Sequence, residues 1–184
     1  MKTKNILLAL LSIFFLGACH SPQTGIYNIM DYGATGDGKT DDAQAIQKAI
    51  NACSEAGGGM VLVPSGHTFL CGPFKLASHI ELHLAPNSRL LANPDESIYT
   101  ESAFGANRGE GMMWISGKDL KNVSITGTGT LDGNGVSFMG KELEDSYELK
   151  PVTDFDPRPH LLTLTNVQKL VMRDISVRNS AYWS

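Results

Sequence analysis

Two stretches of this chain repeat one grammar, and that repetition limits the fold more than any other feature. MWISGKDLKNVSITGTGTLDGNG, Met113 to Gly135, reads as strand, turn, strand over Val123 to Thr126, turn, and a strand around Leu131. LLTLTNVQKLVMRDISVRNS, Leu161 to Ser180, reads the same way. With one residue of slippage, Ile115 corresponds to Leu164, Ile125 to Met172 and Leu131 to Val177. Short strands separated by Gly and Asn turns and recurring in this order indicate a solenoid. One coil cannot bury its apolar face alone, whereas stacked coils share a continuous core. A β-sandwich also has recurrent strands. Here, however, most strand pairs lack the two-residue Asn-Gly or Asp-Gly signal of a tight hairpin.

Upstream of the repeats lies the chain's one clear helical pattern. Ile46, Ala49, Ile50 and Cys53 recur at i, i+3, i+4 and i+7, opposite Gln44, Gln47, Lys48, Asn51 and Glu55. Asp41 as N-cap with Gln44 three residues on resembles a capping box, with Asp42 favouring the positive helix end. Gly57-Gly58-Gly59 is the stop signal. A single one-faced helix ahead of all the longer strands suits a cap over the open end of a stack. The expected class is therefore all-β: a parallel β-helix with one N-terminal capping helix.

The glycine loop before the helix carries no ligand pattern. Gly33, Gly36 and Gly38 are spaced G-x-x-G-x-G, not as a dinucleotide fingerprint, and no βαβ unit surrounds them. Asp37, Asp41 and Asp42 miss the spacing of a Ca loop. No metal or cofactor is expected. Strands are expected at Ile26–Met30, Met60–Val63, Thr68–Leu70, Phe74–Leu76, Ile80–Leu84 and Arg89–Ala92. Alternation in Ile80–Leu84 points Glu81 and His83 away from the core. Asn93–Gly111 and Lys141–Pro159 read as polar insertions, the second acidic through Glu142, Glu144, Asp145, Asp154 and Asp156.

Lys2 and Lys4, an apolar run from Ile6 to Leu16, and then Leu16-Gly17-Ala18-Cys19 read as an export signal too short to span a bilayer. Small residues before Cys19 resemble a bacterial lipobox, in which the cysteine becomes the lipidated N-terminus. The expected organisation is a signal peptide over 1–18, a tether over 19–25 and a β-helix over 26–184. The anticipated location is that of an exported, membrane-anchored lipoprotein, periplasmic or at the cell surface. Losing Lys2 and Lys4 takes the formal net charge from −4 to −6. That balance excludes a general nucleic-acid binder, which needs a basic face against phosphate. It leaves room for an anionic sugar met by a local Arg or Lys cluster. Of the remaining cysteines, Cys53 falls on the helix stripe and Cys71 in a strand. Export permits a disulfide between them, and two buried thiols are equally natural.

D-Y-G-A-x-G-D-G-x-x-D-D-x-x-A-I-x-x-A-I, then G-G-G-x-V-x-V-P-x-G, resembles the start of the polygalacturonase family, glycoside hydrolase family 28. I-T-G-T-G-T-L-D-G-N-G (Ile125–Gly135), R-P-H-L-L-T-L-T-N-V (Arg158–Val167) and R-N-S-A-Y-W (Arg178–Trp183) extend the resemblance across residues 26–184. It implies a right-handed parallel β-helix that hydrolyses α-linked galacturonic acid chains or related pectins with inversion, as a monomer at full length. In the family the carboxylates come from N-T-D, D-D, G-H-G and R-I-K motifs beyond the N-S-x-x-W element. None of the three strings other than D-D occurs here, and Asp41-Asp42 sits at the helix start. The catalytic positions are accordingly expected beyond Ser184, with this chain a truncated, inactive N-terminal portion. A non-catalytic glycan-binding or adhesive β-helix, and a lyase or epimerase on the same scaffold, are the competing readings.

Local candidates are few. Asp132 in L-D-G-N-G has the residue type of a catalytic acid, but Asp-Gly in a β-helix turn is more simply a residue shaped for that turn. Arg158 is the one candidate for opposing a sugar carboxylate, against pairing with nearby acidic residues. Asp154 and Asp156 read as solvated loop charges. Trp114 and Trp183 border strands and suit packing better than sugar stacking.

Overall fold

A computed structural model of the chain describes residues 25–103, 111–142, 149–151 and 158–182, without the side chains of 140–142 and 149–151. The export signal, Cys19, Glu144, Asp145, Asp154, Asp156 and Trp183 lie outside these residues.

The chain winds through sheet positions A, B and C in turn. The first coil runs from β1 (Gly25–Asn28, sheet A) through a 3-10 turn to β2 (Asp37–Asp41, sheet B), and α1 (Ala43–Glu55) stands where a sheet C strand would lie. The second coil is β3 (Gly59–Val63), β4 (Thr68–Cys71) and β5 (Phe74–Lys75). The third is β6 (Ile80–Leu84), β7 (Arg89–Ala92) and β8 (Met113–Lys118). In the fourth, β9 (Lys121–Gly127) and β10 (Thr130–Asp132) precede an inserted antiparallel pair, β11 (Met139–Glu142) and β12 (Leu149–Pro151), before β13 (His160–Thr165). The last described coil holds β14 (Gln168–Met172) and β15 (Ser176–Arg178). All pairings in sheets A, B and C are parallel, so the fold is a parallel β-helix.

Period-two alternation aims one residue in two inward, and the parallel register stacks equivalent residues into columns. Val61, Leu82 and Ile125 form one column in sheet A, and Phe69, Leu90 and Leu131 form another in sheet B; all are fully buried. Each such side chain contributes about 1.5–3 kcal/mol relative to exposure. The columns end on Met172 and Val177, 40% and 48% exposed. Two of the three repeat correspondences expected from sequence are the observed register, Ile125 with Met172 and Leu131 with Val177. The third is corrected by two residues, because Ile115 pairs with Leu162 and Leu164 with Gly117. A two-residue shift keeps each side chain on its face, so the apolar pattern is the same in either register.

The helix buries Ala45, Ile46, Ala49, Ile50 and Cys53 against the 3-10 turn and against β1, β3, β5 and β6. Its start departs from the expected capping box. Asp42 occupies the N-cap position without a side-chain cap bond, while Asp41 Oδ1 accepts the Ala43 N–H at 2.8 Å. The buried Asp42 carboxylate instead accepts the N–H groups of Thr35 (2.6 Å) and Gly36 (3.1 Å) and closes the glycine loop. Asp41 also takes the Gly72 N–H and the Asn93 amide. The loop motif is thus a clamp between the cap and the next coils.

Corners are set by left-handed residues stacked in register. Gly58, His79, Asn122 and Lys169 share the corner before sheet A, all with positive φ. Gly58 is required there, since a Cβ would meet the His79 carbonyl oxygen at 2.4 Å. Cys53 and Cys71 are both buried free thiols in this structure. Cys53 lies beside Gly59 at the start of sheet A, whereas Cys71 ends a sheet B strand against Trp114.

Candidate functional site

The polar groups with most chemical potential meet where sheet B gives way to sheet C. At its centre is Asp132, the last residue of β10, fully buried. Parallel register places it directly opposite Leu91 in the coil before and Arg178 in the coil after. Arg89, two residues before Leu91 and on the same strand face, reaches Asp132 Oδ2 through Nε at 3.1 Å and Nη2 at 2.8 Å. Arg178 donates Nε–H to the same oxygen at 2.9 Å. The other oxygen accepts the Asn134 N–H at 3.0 Å and the Asn179 amide at 3.1 Å.

Burial alone would raise the Asp132 pKa. The Asn134 N–H, the Asn179 amide, Arg178 and Arg89 outweigh it, and the group lies below the ordinary carboxylate value. Such a group is ionised at neutral pH and has no proton to give. Its lone pairs are also directed at protein donors, leaving none aimed at a substrate proton. Asp132 is therefore an ion bridge between coils and the former of the turn that begins at Gly133, and its sequence-level reading as a turn residue holds. That turn has no room for side chains. A Cβ on Gly133 would lie 2.6 Å from the Asn179 carbonyl oxygen, and one on Gly135 at 2.6 Å from that of Ser180.

Arg158, half-buried, stands over the Tyr182 ring with its guanidinium carbon 5.2 Å from the centroid, and Nη1 donates to Met139 Sδ at 3.5 Å. His160 meets the same ring edge-on at 4.8 Å, and burial holds its pKa below the usual histidine value. A cation on an aromatic face contributes roughly 0.5–2 kcal/mol. Arg158, His160 and Tyr182 thus form a packed cluster.

Other candidates resolve into structure. Trp114 is fully buried with Nε1 donating to the Cys71 carbonyl at 2.9 Å, so its ring is core and not a sugar platform. Glu81 and His83 do point outward, where both meet the Thr126 hydroxyl, His83 Nδ1 at 2.9 Å. Among the described residues no group of three or more His, Cys, Asp or Glu is arranged to hold a metal ion. Sequence reasoning missed Arg89 and Arg178 as partners of Asp132. The signal was present, because aligning Leu131 with Val177 puts Asp132 opposite Arg178.

Residues 26–108 match the family model described as "Rhamnogalacturonase A/epimerase, pectate lyase-like". The chain is 31% identical over 167 residues to a polygalacturonase of Persea americana, covering 87% of this chain and 32% of that protein. Among solved structures it resembles a hyperthermoactive exopolygalacturonase from Thermotoga maritima, with TM-score 0.69, 26% identity and coverage of 88% of this chain and 44% of that one. It also resembles the family 28 exopolygalacturonase of Yersinia enterocolitica, with TM-score 0.66, 25% identity and coverage of 85% and 35%. The fold is accordingly the right-handed parallel β-helix of these enzymes. The chain spans about a third of the length of the curated relatives it matches. On fold, motif order and sequence together, the chain is similar over most of its length to polygalacturonases with this β-helix.

Proposed function

We propose that the protein is part of an exported glycoside hydrolase that cleaves α-linked galacturonic acid chains with inversion, anchored to a membrane through lipid on Cys19. Residues 26–184 supply the capped first coils, and the catalytic carboxylates come from outside the described residues. The observation that carries this reading is the adjacent stacking of L-D-G-N-G and R-N-S at one corner, within a chain whose polygalacturonase likeness covers most of its length. Inverting hydrolysis needs two carboxyl groups roughly 6.5–9.5 Å apart, one protonated and one free to activate water. Among the described residues, the buried aspartates Asp42 and Asp132 both have their two carboxylate oxygens engaged by protein donors, as structural acceptors.

The test incubates polygalacturonate with the 184-residue chain and with a product extended by the coding sequence of further coils. Hydrolysis by the extended product releases reducing ends without ultraviolet-absorbing unsaturated sugars, and the 184-residue chain releases neither. Unsaturated products would replace hydrolysis with elimination. Reducing ends from the 184-residue chain would overturn the placement of the carboxylates.

A further inference from the structure

The outward side chains of sheet A change character along the stack. In one register row Ile26, Met60, Glu81 and Ser124 follow one another from β1 to β9, and in the next row Asn28, Leu62, His83 and Thr126 do so. The part made by β1 and β3 is mainly apolar, with Ile26 67% exposed and Met60 and Leu62 half-buried. The part made by β6 and β9 is polar, and there Glu81, Thr126 and His83 are joined by hydrogen bonds. A groove past Gly25, Ile26, Met60 and His79 borders the apolar part. The surface next to it at the capped end is the outer face of α1, where Gln44, Lys48, Asn51 and Glu55 are exposed.

Six residues, Cys19 to Thr24, separate the lipid-bearing position from Gly25 at the head of β1. Whatever path they take, six residues span at most about 22 Å. A fold held this closely turns the surface around Gly25 to the bilayer. Two surfaces adjoin that point, the polar face of α1 and the apolar strip of β1 and β3. Apolar side chains gain by entering the boundary between headgroups and acyl chains, about 5–10 Å deep, which favours the strip.

We infer that the outer face of β1 and β3, through Ile26, Met60 and Leu62, rests on the lipid bilayer that holds the anchor. The inference rests on the lipidated Cys19 of the proposed function and is independent of the reaction. It turns sheets B and C, the other two faces of the coil, toward solvent.

The experiment uses the full chain exported with its signal, purified from membranes and reconstituted into phosphatidylcholine vesicles. Mass spectrometry first reads the N-terminus. An unlipidated Cys19 overturns the anchor reading, and the orientation falls with it. A fluorophore is then attached at Ile26→Cys and, in separate samples, at Met60→Cys and Val136→Cys; Cys53 and Cys71 are buried and stay unlabelled. Val136, 73% exposed in the turn after β10, is an equally open apolar position in the fourth coil. Acyl chains brominated near the headgroup should quench the probes at 26 and 60 roughly threefold or more above the probe at 136. The Met60 position preserves the test if the Ile26 variant folds poorly. Lipidated protein with equal quenching at the three positions, or with stronger quenching at 136, would overturn the bilayer-facing surface while leaving the anchor intact.

Discussion

Arg178 lies one coil beyond Asp132 in the same register position and donates Nε–H to its Oδ2 at 2.9 Å. Arg89 meets that oxygen from the opposite side of the stack. One buried carboxylate thereby joins three successive coils across sheet B. The bridge is long-range in sequence and local in the solenoid, as expected where each coil touches only its neighbours.

Removing that carboxylate strands both guanidinium groups and the Asn179 amide. Asp132→Ala should cost about 1–3 kcal/mol, since the arginines it leaves are part-exposed and the unpaired Asn134 N–H carries the penalty of a lost acceptor. Urea denaturation measures it, and a loss under about 1 kcal/mol would show the bridge to be solvated and weak. The folded pKa of Asp132 is depressed below its ordinary 3.8, so its stabilisation is present above that value. It is lost as pH falls through the folded pKa, and Asp132→Asn should flatten the stability profile below about pH 4.

Asp42 does a comparable job at the capped end, closing the glycine loop through Thr35 and Gly36. Asp42→Ala leaves two N–H groups without their acceptor and should cost about 2–3 kcal/mol. Hydrogen exchange localises the effect, with faster exchange expected at Thr35 and Gly36 and unchanged protection in β9. Uniform loss across the chain would mean that the clamp is not local.

The cysteines should be inert in the folded chain. Burial raises the Cys53 thiol from 9.0 to about 11 and the Cys71 thiol well above its ordinary value. A thiol reagent at neutral pH should label neither until denaturant is added, because the thiolate is the reactive form. Both pKa values are raised on folding, so this contribution to stability is full below about pH 9 and declines as pH rises through the folded value near 11 for Cys53. A melting temperature that drops on adding reductant would reveal a bridge after all.

Gly127 turns at φ +104, and a Cβ there would sit 2.0 Å from the Leu84 carbonyl oxygen. The obstacle is backbone in the coil below, which a side chain rotation cannot relieve. Gly127→Ala should destabilise by about 1–3 kcal/mol or more. Gly57→Ala is the control: φ is also positive, but nothing lies within 4 Å of its Cβ. Equal effects in the two variants would assign the cost to φ alone.

The coil order, the helix stripe and most strand positions were legible because each depends on local periodicity. Register was legible where a turn residue marked the phase, as at Leu131 and Val177, and ambiguous by two residues at Ile115, where either pairing buries the same face. The helix start misled because Asp41 and Asp42 are equally good caps in sequence, and the choice between them is made by loop amides outside the helix. The pair β11 and β12 was hidden inside a polar insertion without strand alternation. Arg89 and Arg178 each read as ordinary charged positions, since their meaning comes from a residue more than forty positions away.

The most direct measurement compares the wild-type and Asp132→Asn forms of an extended, active product on polygalacturonate, recording kcat, KM and the melt together. With Asp132 as scaffold, the melting temperature falls and kcat of the folded enzyme stays within about tenfold of wild type. A kcat loss of roughly a thousandfold or more with an unchanged melt would contradict this, because it would make Asp132 a catalytic residue.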